Sequence, residues 1–193
     1  MEEIIIILEE WRNICGYLNY QVSNIGRVRN TDSGRILKLP TNCDGYYYVG
    51  LSLNGKKTQY QVHRLVALEF IPNPSNKTTV DHIKNKAIQN NNVENLRWAT
   101  RKEQRWNIST HINTSSKYKG VSLNKATGEW RSRILVDNKH IHLGYFKSEE
   151  EAALAYNKKA NEHFGEFANL NVIEYRLAAA EHSAPDFLNE QNY

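Results

Sequence analysis

An aspartate and a histidine stand side by side at Asp81-His82, followed at Asn95 by Asn-Leu-Arg-Trp-Ala-Thr and then by Gln104 and Asn107. A carboxylate is the usual hard oxygen anchor for Mg²⁺, which keeps several waters and takes further ligands from a substrate phosphate. An imidazole has an unperturbed pKa of about 6.5, near the operating pH, and accepts the proton of a water efficiently. Water attacking a phosphodiester in line needs both an activating base and neutralisation of the charge that grows on the phosphorane and the departing alkoxide. Asp81 as metal anchor and His82 as general base is the expected layout of a one-metal phosphodiester hydrolase. Neighbouring strand residues point to opposite sides, so Asp81 can serve the leaving-group side while His82 meets the attacking side.

Such a pair must be delivered by a strand and held by what packs around it. Residues 78–83, with Thr78, Thr79, Val80 and Ile83 β-branched, read as that strand, and 96–99 as a second strand pairing back. Thr100 with Glu103 three residues on is a capping box that opens a helix, and in it Gln104 and Asn107 share a face. Upstream, apolar residues at 65, 66, 68 and 70 predict a short helix over 63–70, closed by Pro72 and Pro74. The first sixty residues read as antiparallel strands near 20–22, 27–29, 51–53 and 59–62, with Asn54-Gly55 the strongest hairpin signal. Arg27 and Arg29 alternate on one of these strands, which suits contact with DNA phosphate as well as it suits a plain solvent face.

Taken in order, Val62-His63-Arg64-Leu65-Val66-Ala67, Asp81-His82, Asn95-Leu96-Arg97-Trp98 and the closing asparagine resemble the HNH nuclease family, in particular its homing endonucleases, over roughly residues 60 to 108. Trp11-Arg12-Asn13-Ile14 followed by Tyr20 to Arg29 is similar to the nuclease-associated modular motif that precedes HNH domains. The resemblance implies a ββα-metal core around Asp81 and His82, and gives Asn95 the task of tying the loop and orienting the histidine. Where the family usually places a metal-ligating Asn or His on the helix, this chain has Gln104, one methylene longer. Asn107 is the alternative ligand, and counting along an ideal helix favours Gln104. The loop over 83–94 is also one residue longer than is common and lacks the usual Gly. These departures support a second reading, a nuclease-derived DNA-binding regulator that no longer cuts. The chemistry alone would equally serve RNA or a structured junction.

After a polar stretch at 111–117, the best linker candidate, three strands are expected at 118–121, 130–136 and 140–146. A helix capped by Ser148 and Glu151 follows, with a narrow stripe of Ala152, Tyr156, Ala160 and Phe164. On the middle strand Trp130, Ile134 and Val136 share one face, while Arg131, Arg133 and Leu135 share the other. Residues 116–171, including Gly165-Glu166-Phe167-Ala168-Asn169-Leu170-Asn171, resemble the APETALA-type DNA-binding domain of plant ethylene-response factors. That resemblance implies a sheet set into a major groove about 12 Å wide, where Arg reads guanine and other cations hold phosphate. It puts contacts on Lys119, Ser122, Asn124, Arg133, His140 and His142, and alternation adds Arg131.

The expected fold class is α+β in small modules: N-terminal antiparallel strands (1–59), a ββα-metal core (60–110), a linker (111–117), a three-stranded antiparallel sheet packed on one helix (118–171) and a tail (172–193). Net charge is +4, yet 96–147 carries eleven Lys or Arg against three acids while 148–193 carries three against nine. A basic middle suits a polyanion. Cys15 and Cys43 are the only cysteines, which argues against a disulfide framework or a zinc cluster and for an intracellular protein. The aliphatic run at 4–8 is far too short to span a bilayer and reads as an edge strand or packing segment. The expected partner is double-stranded DNA and the expected cofactor Mg²⁺, Mn²⁺ or another divalent cation. No membrane and no small-molecule cofactor are expected, and the sequence leaves the oligomeric state open while favouring a monomer.

Overall fold

The computed structural model describes residues 8–108 and 115–173. Strands β1 (Trp11–Ile14), β2 (Tyr17–Ser23) and β3 (Val28–Asn30) form an antiparallel sheet in that order. β4 (Tyr48–Leu53) and β5 (Lys56–Gln61) make the hairpin that Asn54-Gly55 predicts, with φ of 50° and 78° at the turn residues. Helix α1 (Val62–Phe70) follows at once and ends at Ile71, because the residue before Pro72 is forced out of the helical region.

β6 (Thr79–His82) pairs antiparallel with β7 (Leu96–Ala99), and the capping box of Thr100 and Glu103 starts α2 (Arg101–Trp106). Val22, Val28, Val49, Leu51, Val62, Leu65, Val66, Val80 and Leu96 belong to one buried cluster. The boundary expected at residue 59 thus runs through a shared interior. A core of some 45 residues would be thin on its own, and the N-terminal strands supply the missing apolar cover. Trp98 fastens this arrangement by donating its indole N–H to the Ile71 carbonyl at 2.9 Å.

β8 (Val121–Leu123), β9 (Trp130–Val136) and β10 (Lys139–Phe146) form the second antiparallel sheet, with β9 central, and α3 (Glu149–Phe164) packs on it through Ala152, Tyr156, Ala160 and Phe164. The first of these strands begins at Val121 instead of at Tyr118. Gly120 takes a φ of +78° to turn the chain beneath the Tyr156 ring, and a Cβ there would lie 2.1 Å from that ring. Of the expected linker, Ser115 and Ser116 are tied to this module: Ser115 Oγ accepts from the Leu123 amide at 3.0 Å, and Ser116 Oγ donates to Glu149 at 2.6 Å. Residues 111–114, most of the N-terminal aliphatic run and the tail helix expected at 174–181 lie outside the described residues. No helix among the described residues is long and apolar enough to cross a membrane.

Candidate active site and nucleic-acid interface

Asp81 and His82 are the last two residues of β6, and both are buried. Cross-strand pairing sets Arg97 of β7 directly opposite Asp81. Its Nε and Nη2 both donate to Asp81 Oδ2, at 3.0 and 2.9 Å. Asn107 Nδ2 donates to the same oxygen at 3.0 Å and to the His82 carbonyl at 2.8 Å. Three donors therefore converge on Oδ2, leaving Oδ1 as the oxygen they do not occupy. Burial pushes the Asp81 carboxyl above its ordinary value, while Arg97 and Asn107 pull it back toward the charged form.

His82 Nε2 lies 3.1 Å from Asn91 Oδ1. An amide oxygen can only accept, so the neutral ring carries its proton on Nε2 and keeps Nδ1 as the acceptor. Burial holds the His82 pKa below that of a free imidazole, against the opposing pull of Asn91 and Asp81. Asn91 is itself buried beside Gly26, where a Cβ would come within 2.6 Å of the Asn91 Cβ. The N-terminal sheet therefore bears on the residue that orients the histidine. Tyr46 and His63 wall the other side, their ring centroids 5.8 and 5.1 Å from that of His82. His63 Nδ1 is buried without a hydrogen-bond partner, and desolvation first, then the charges of His82 and Arg64, push its pKa down to about 4.

Two of the expected site residues have other partners in the structure. Gln104 does not turn toward Asp81: its Nε2 donates to the Val80 carbonyl at 2.9 Å, and the amide at Asp81 is that of Asn107. The reason is that α2 is only six residues long, so Asn107 is its C-cap and folds back under the end of β6. Asn95 ties the loop, accepting from the Lys84 amide at 2.9 Å and donating to the Asn90 carbonyl at 2.9 Å, but the amide that meets His82 belongs to Asn91. Asn90, Asn91 and Asn92 stand in a row, and only the fold selects the middle one. Arg97 is a site residue that the motifs do not mark, although a strand paired to β6 must place one residue opposite Asp81. The described residues hold no group of three or more His, Cys, Asp or Glu that could bind a metal. One carboxylate oxygen with amides nearby suits a hard cation that draws its remaining ligands from water and phosphate, and does not suit zinc.

A cleft of about 1170 Å³ separates α2 from the C-terminal sheet, lined by Arg101, Lys102 and Arg105 on one side and Ser122, Arg133 and His140 on the other. The one acid among its described lining residues, Asp137, pairs with Lys102 at 2.6 Å. Arg133 and His142 are register partners, as are Leu135 and His140, and all four are exposed on one face. Other expected DNA contacts are engaged elsewhere. Lys119 is turned inward, its Nζ donating to the Trp106 carbonyl at 2.7 Å, and burial lowers its pKa to about 8. Asn124 closes a turn by accepting from the Ala126 amide at 3.2 Å, and Arg131 is half-buried. Arg27 is paired with Glu9, while Arg29 lies 4.3 Å over the Trp11 ring and donates to Gln21 at 2.8 Å. Both N-terminal arginines thus have partners within the chain.

Residues 9–52 match the NUMOD4 motif and residues 60–105 match the HNH endonuclease family. The DNA endonuclease I-HmuI of Bacillus phage SP01 is 46% identical over 94 residues, covering 48% of this chain and 53% of that protein. An uncharacterized HNH endonuclease, L245, of Acanthamoeba polyphaga mimivirus is 43% identical over 96 residues, covering 50% of this chain and 28% of its own length. The ethylene-responsive transcription factor WRI1 of Arabidopsis thaliana is 41% identical over 64 residues, 31% of this chain and 15% of the factor. A solved structure described as DNA binding and cleavage by the HNH homing endonuclease I-HmuI aligns over 48% of this chain and 53% of its own, at 46% identity and a TM-score of 0.45. The chain spans about half the length, or less, of these curated relatives.

Proposed function

We propose that this chain, which carries a NUMOD4 motif followed by an HNH endonuclease segment, is a metal-dependent endonuclease of the homing type that hydrolyses phosphodiester bonds in double-stranded DNA. The observation that carries the reading is the buried Asp81-His82 pair, with His82 held through Nε2 by Asn91 so that Nδ1 is left to accept a proton. In this reading His82 takes the proton of the attacking water through Nδ1, and burial keeps the ring neutral and competent below the usual imidazole pKa. Asp81 Oδ1, the oxygen that Arg97 and Asn107 leave open, would hold the cation, Mg²⁺ or Mn²⁺. When bound, that cation supplies the charge neutralisation at the phosphate that no neutral side chain here can give. Arg97 and Asn107 hold the Asp81 carboxylate through Oδ2 alone, which in this reading reserves Oδ1 for the cation.

DNA would reach the site past α2, with phosphates drawn to Arg101 and Arg105 and the sheet face of Arg133, His140 and His142 reading the groove. Residues 118–171 are accordingly assigned to targeting. The test is a supercoiled-plasmid assay with Mg²⁺, Mn²⁺ and EDTA on the wild type and His82→Ala. Cutting that needs the cation and falls at least about 10²-fold in His82→Ala, with DNA affinity retained, is the expected result. Equal cutting by both proteins would overturn the assignment of the base. One observation favours a second reading, a regulator that binds DNA without cutting. The Gln104 amide is spent on Val80, and a guanidinium already neutralises Asp81. Wild-type protein that binds DNA yet never nicks it with either cation would select that reading.

A further inference from the structure

The segment after α3 belongs to the C-terminal module by sequence, yet it packs against the groups that hold Asp81. Arg97 spends Nε and Nη2 on Asp81 Oδ2, and its remaining Nη1 donates to the Glu166 carbonyl. The guanidinium lies 4.0 Å over the ring of Phe167, a buried side chain whose ring also carries the Lys77 ammonium at 4.7 Å. Two residues further on, Asn169 Nδ2 donates to the Asn107 carbonyl at 3.0 Å. Trp106 stacks on Phe164 with centroids 4.7 Å apart and planes at 17°. Arg97 and Asn107, two side chains that fix Asp81, are therefore both braced from residues 164–169.

We propose that Phe167 and the Glu166 carbonyl are positioning groups of the nuclease site: they hold Arg97 to one oxygen of Asp81 and so keep the other open to a divalent cation. The inference rests on the metal reading given above. Its physical basis is the geometry of a guanidinium, a planar fork that closes readily on both oxygens of a carboxylate. Here both N–H groups facing Asp81 fall on Oδ2, while Nη1 is drawn to the Glu166 carbonyl and the flat face rests on the Phe167 ring, two contacts that fix where the fork points. Without the ring, Arg97 is free to rotate and chelate Oδ1 and Oδ2 together, in competition with the cation. Partners of a ligating carboxylate typically alter metal affinity by 10–100-fold. The module that carries the sheet assigned to DNA reading would thus also set the occupancy of the metal site.

The test is Mn²⁺ binding, followed by electron paramagnetic resonance on the full chain without DNA, for the wild type, Phe167→Ala, Phe167→Leu and Phe167→Tyr. Loss of the aromatic face in the Ala and Leu variants should weaken Mn²⁺ about 10-fold, whereas Tyr should stay within about twofold of wild type. Phe167→Leu keeps most of the buried apolar volume and decides the matter if Phe167→Ala fails to fold. Wild-type affinity in Phe167→Leu would overturn the positioning role and leave the metal reading intact. Absence of Mn²⁺ binding in all four proteins would overturn the metal reading, and this inference with it.

Discussion

Replacing Asn107 by alanine should damage the site far more than the same change at Gln104. The Asn107 amide is buried and donates to Asp81 Oδ2 at 3.0 Å and to the His82 carbonyl at 2.8 Å, with a longer contact to Ile83. Losing a bond to a carboxylate and leaving one buried carbonyl unpaired should cost about 3 kcal/mol. Gln104 makes one neutral bond, to the Val80 carbonyl at 2.9 Å, from a half-buried position, worth about 1 kcal/mol. Urea unfolding followed by tryptophan fluorescence in EDTA separates the two without any metal contribution. The Mg²⁺ concentration for half-maximal cleavage should then rise in Asn107→Ala and stay nearly unchanged in Gln104→Ala. Asn107→Asp cannot donate and sets a second carboxyl against Asp81, so it should be at least as unstable as the alanine variant at pH 7. Equal destabilisation by Asn107→Ala and Gln104→Ala, or a metal dependence shifted only by Gln104→Ala, would refute this assignment.

The acid limb of cleavage should lie below pH 6.5, because burial lowers the His82 pKa and the base stays neutral further into acid; a limb at or above 6.5 in a kcat/KM profile would contradict this. His63 should make the fold acid-sensitive. Its folded pKa of about 4 lies below the unfolded 6.5, so the unfolded chain takes the proton first. Stability should therefore fall as pH drops from 6.5 toward 4, by up to about 3 kcal/mol. Urea unfolding of His63→Leu at pH 7 and 4.5 should show a smaller loss than wild type, and an equal loss would remove His63 as the cause. Gly26→Ala should reduce cleavage while DNA affinity persists, since the new methyl displaces Asn91 and with it the His82 ring; unchanged cutting by a folded variant would sever that link.

The parts of this protein legible in its sequence are those fixed by local chemistry. Asn54-Gly55 dictates its turn, the Thr100-Glu103 and Ser148-Glu151 boxes dictate where two helices start, and the Asp81-His82 pair announces itself by residue type. What stayed hidden depends on where elements stop or on which of several like residues comes near. Asn107 displaces Gln104 at Asp81 because α2 ends at Trp106, and a count along an ideal helix cannot see that end. Asn91 is one of three consecutive asparagines in a loop without period. Lys119 matched a DNA-contact position by resemblance, but the docking of its module against Trp106 turns the ammonium inward, which no local pattern encodes.

That docking changes what the sequence motifs mean as physical units. The strand-strand-helix segment that bears Asp81 and His82 presents at least three sides to be covered, and its own α2 is too short to cover them. Gly26 and the N-terminal strands close the side behind Asn91 and His82. The shared apolar cluster closes the side beneath β6 and β7. Phe164, Phe167 and Asn169 close the side of Trp106, Arg97 and Asn107. Each cover comes from a segment with a separate sequence signature, and each touches a residue one contact away from Asp81 or His82. A small catalytic core that cannot bury its own polar network gains order from its neighbours. The same contacts give those neighbours a mechanical hold on the reactive pair, so that stability and control of the chemistry arise from one set of interactions.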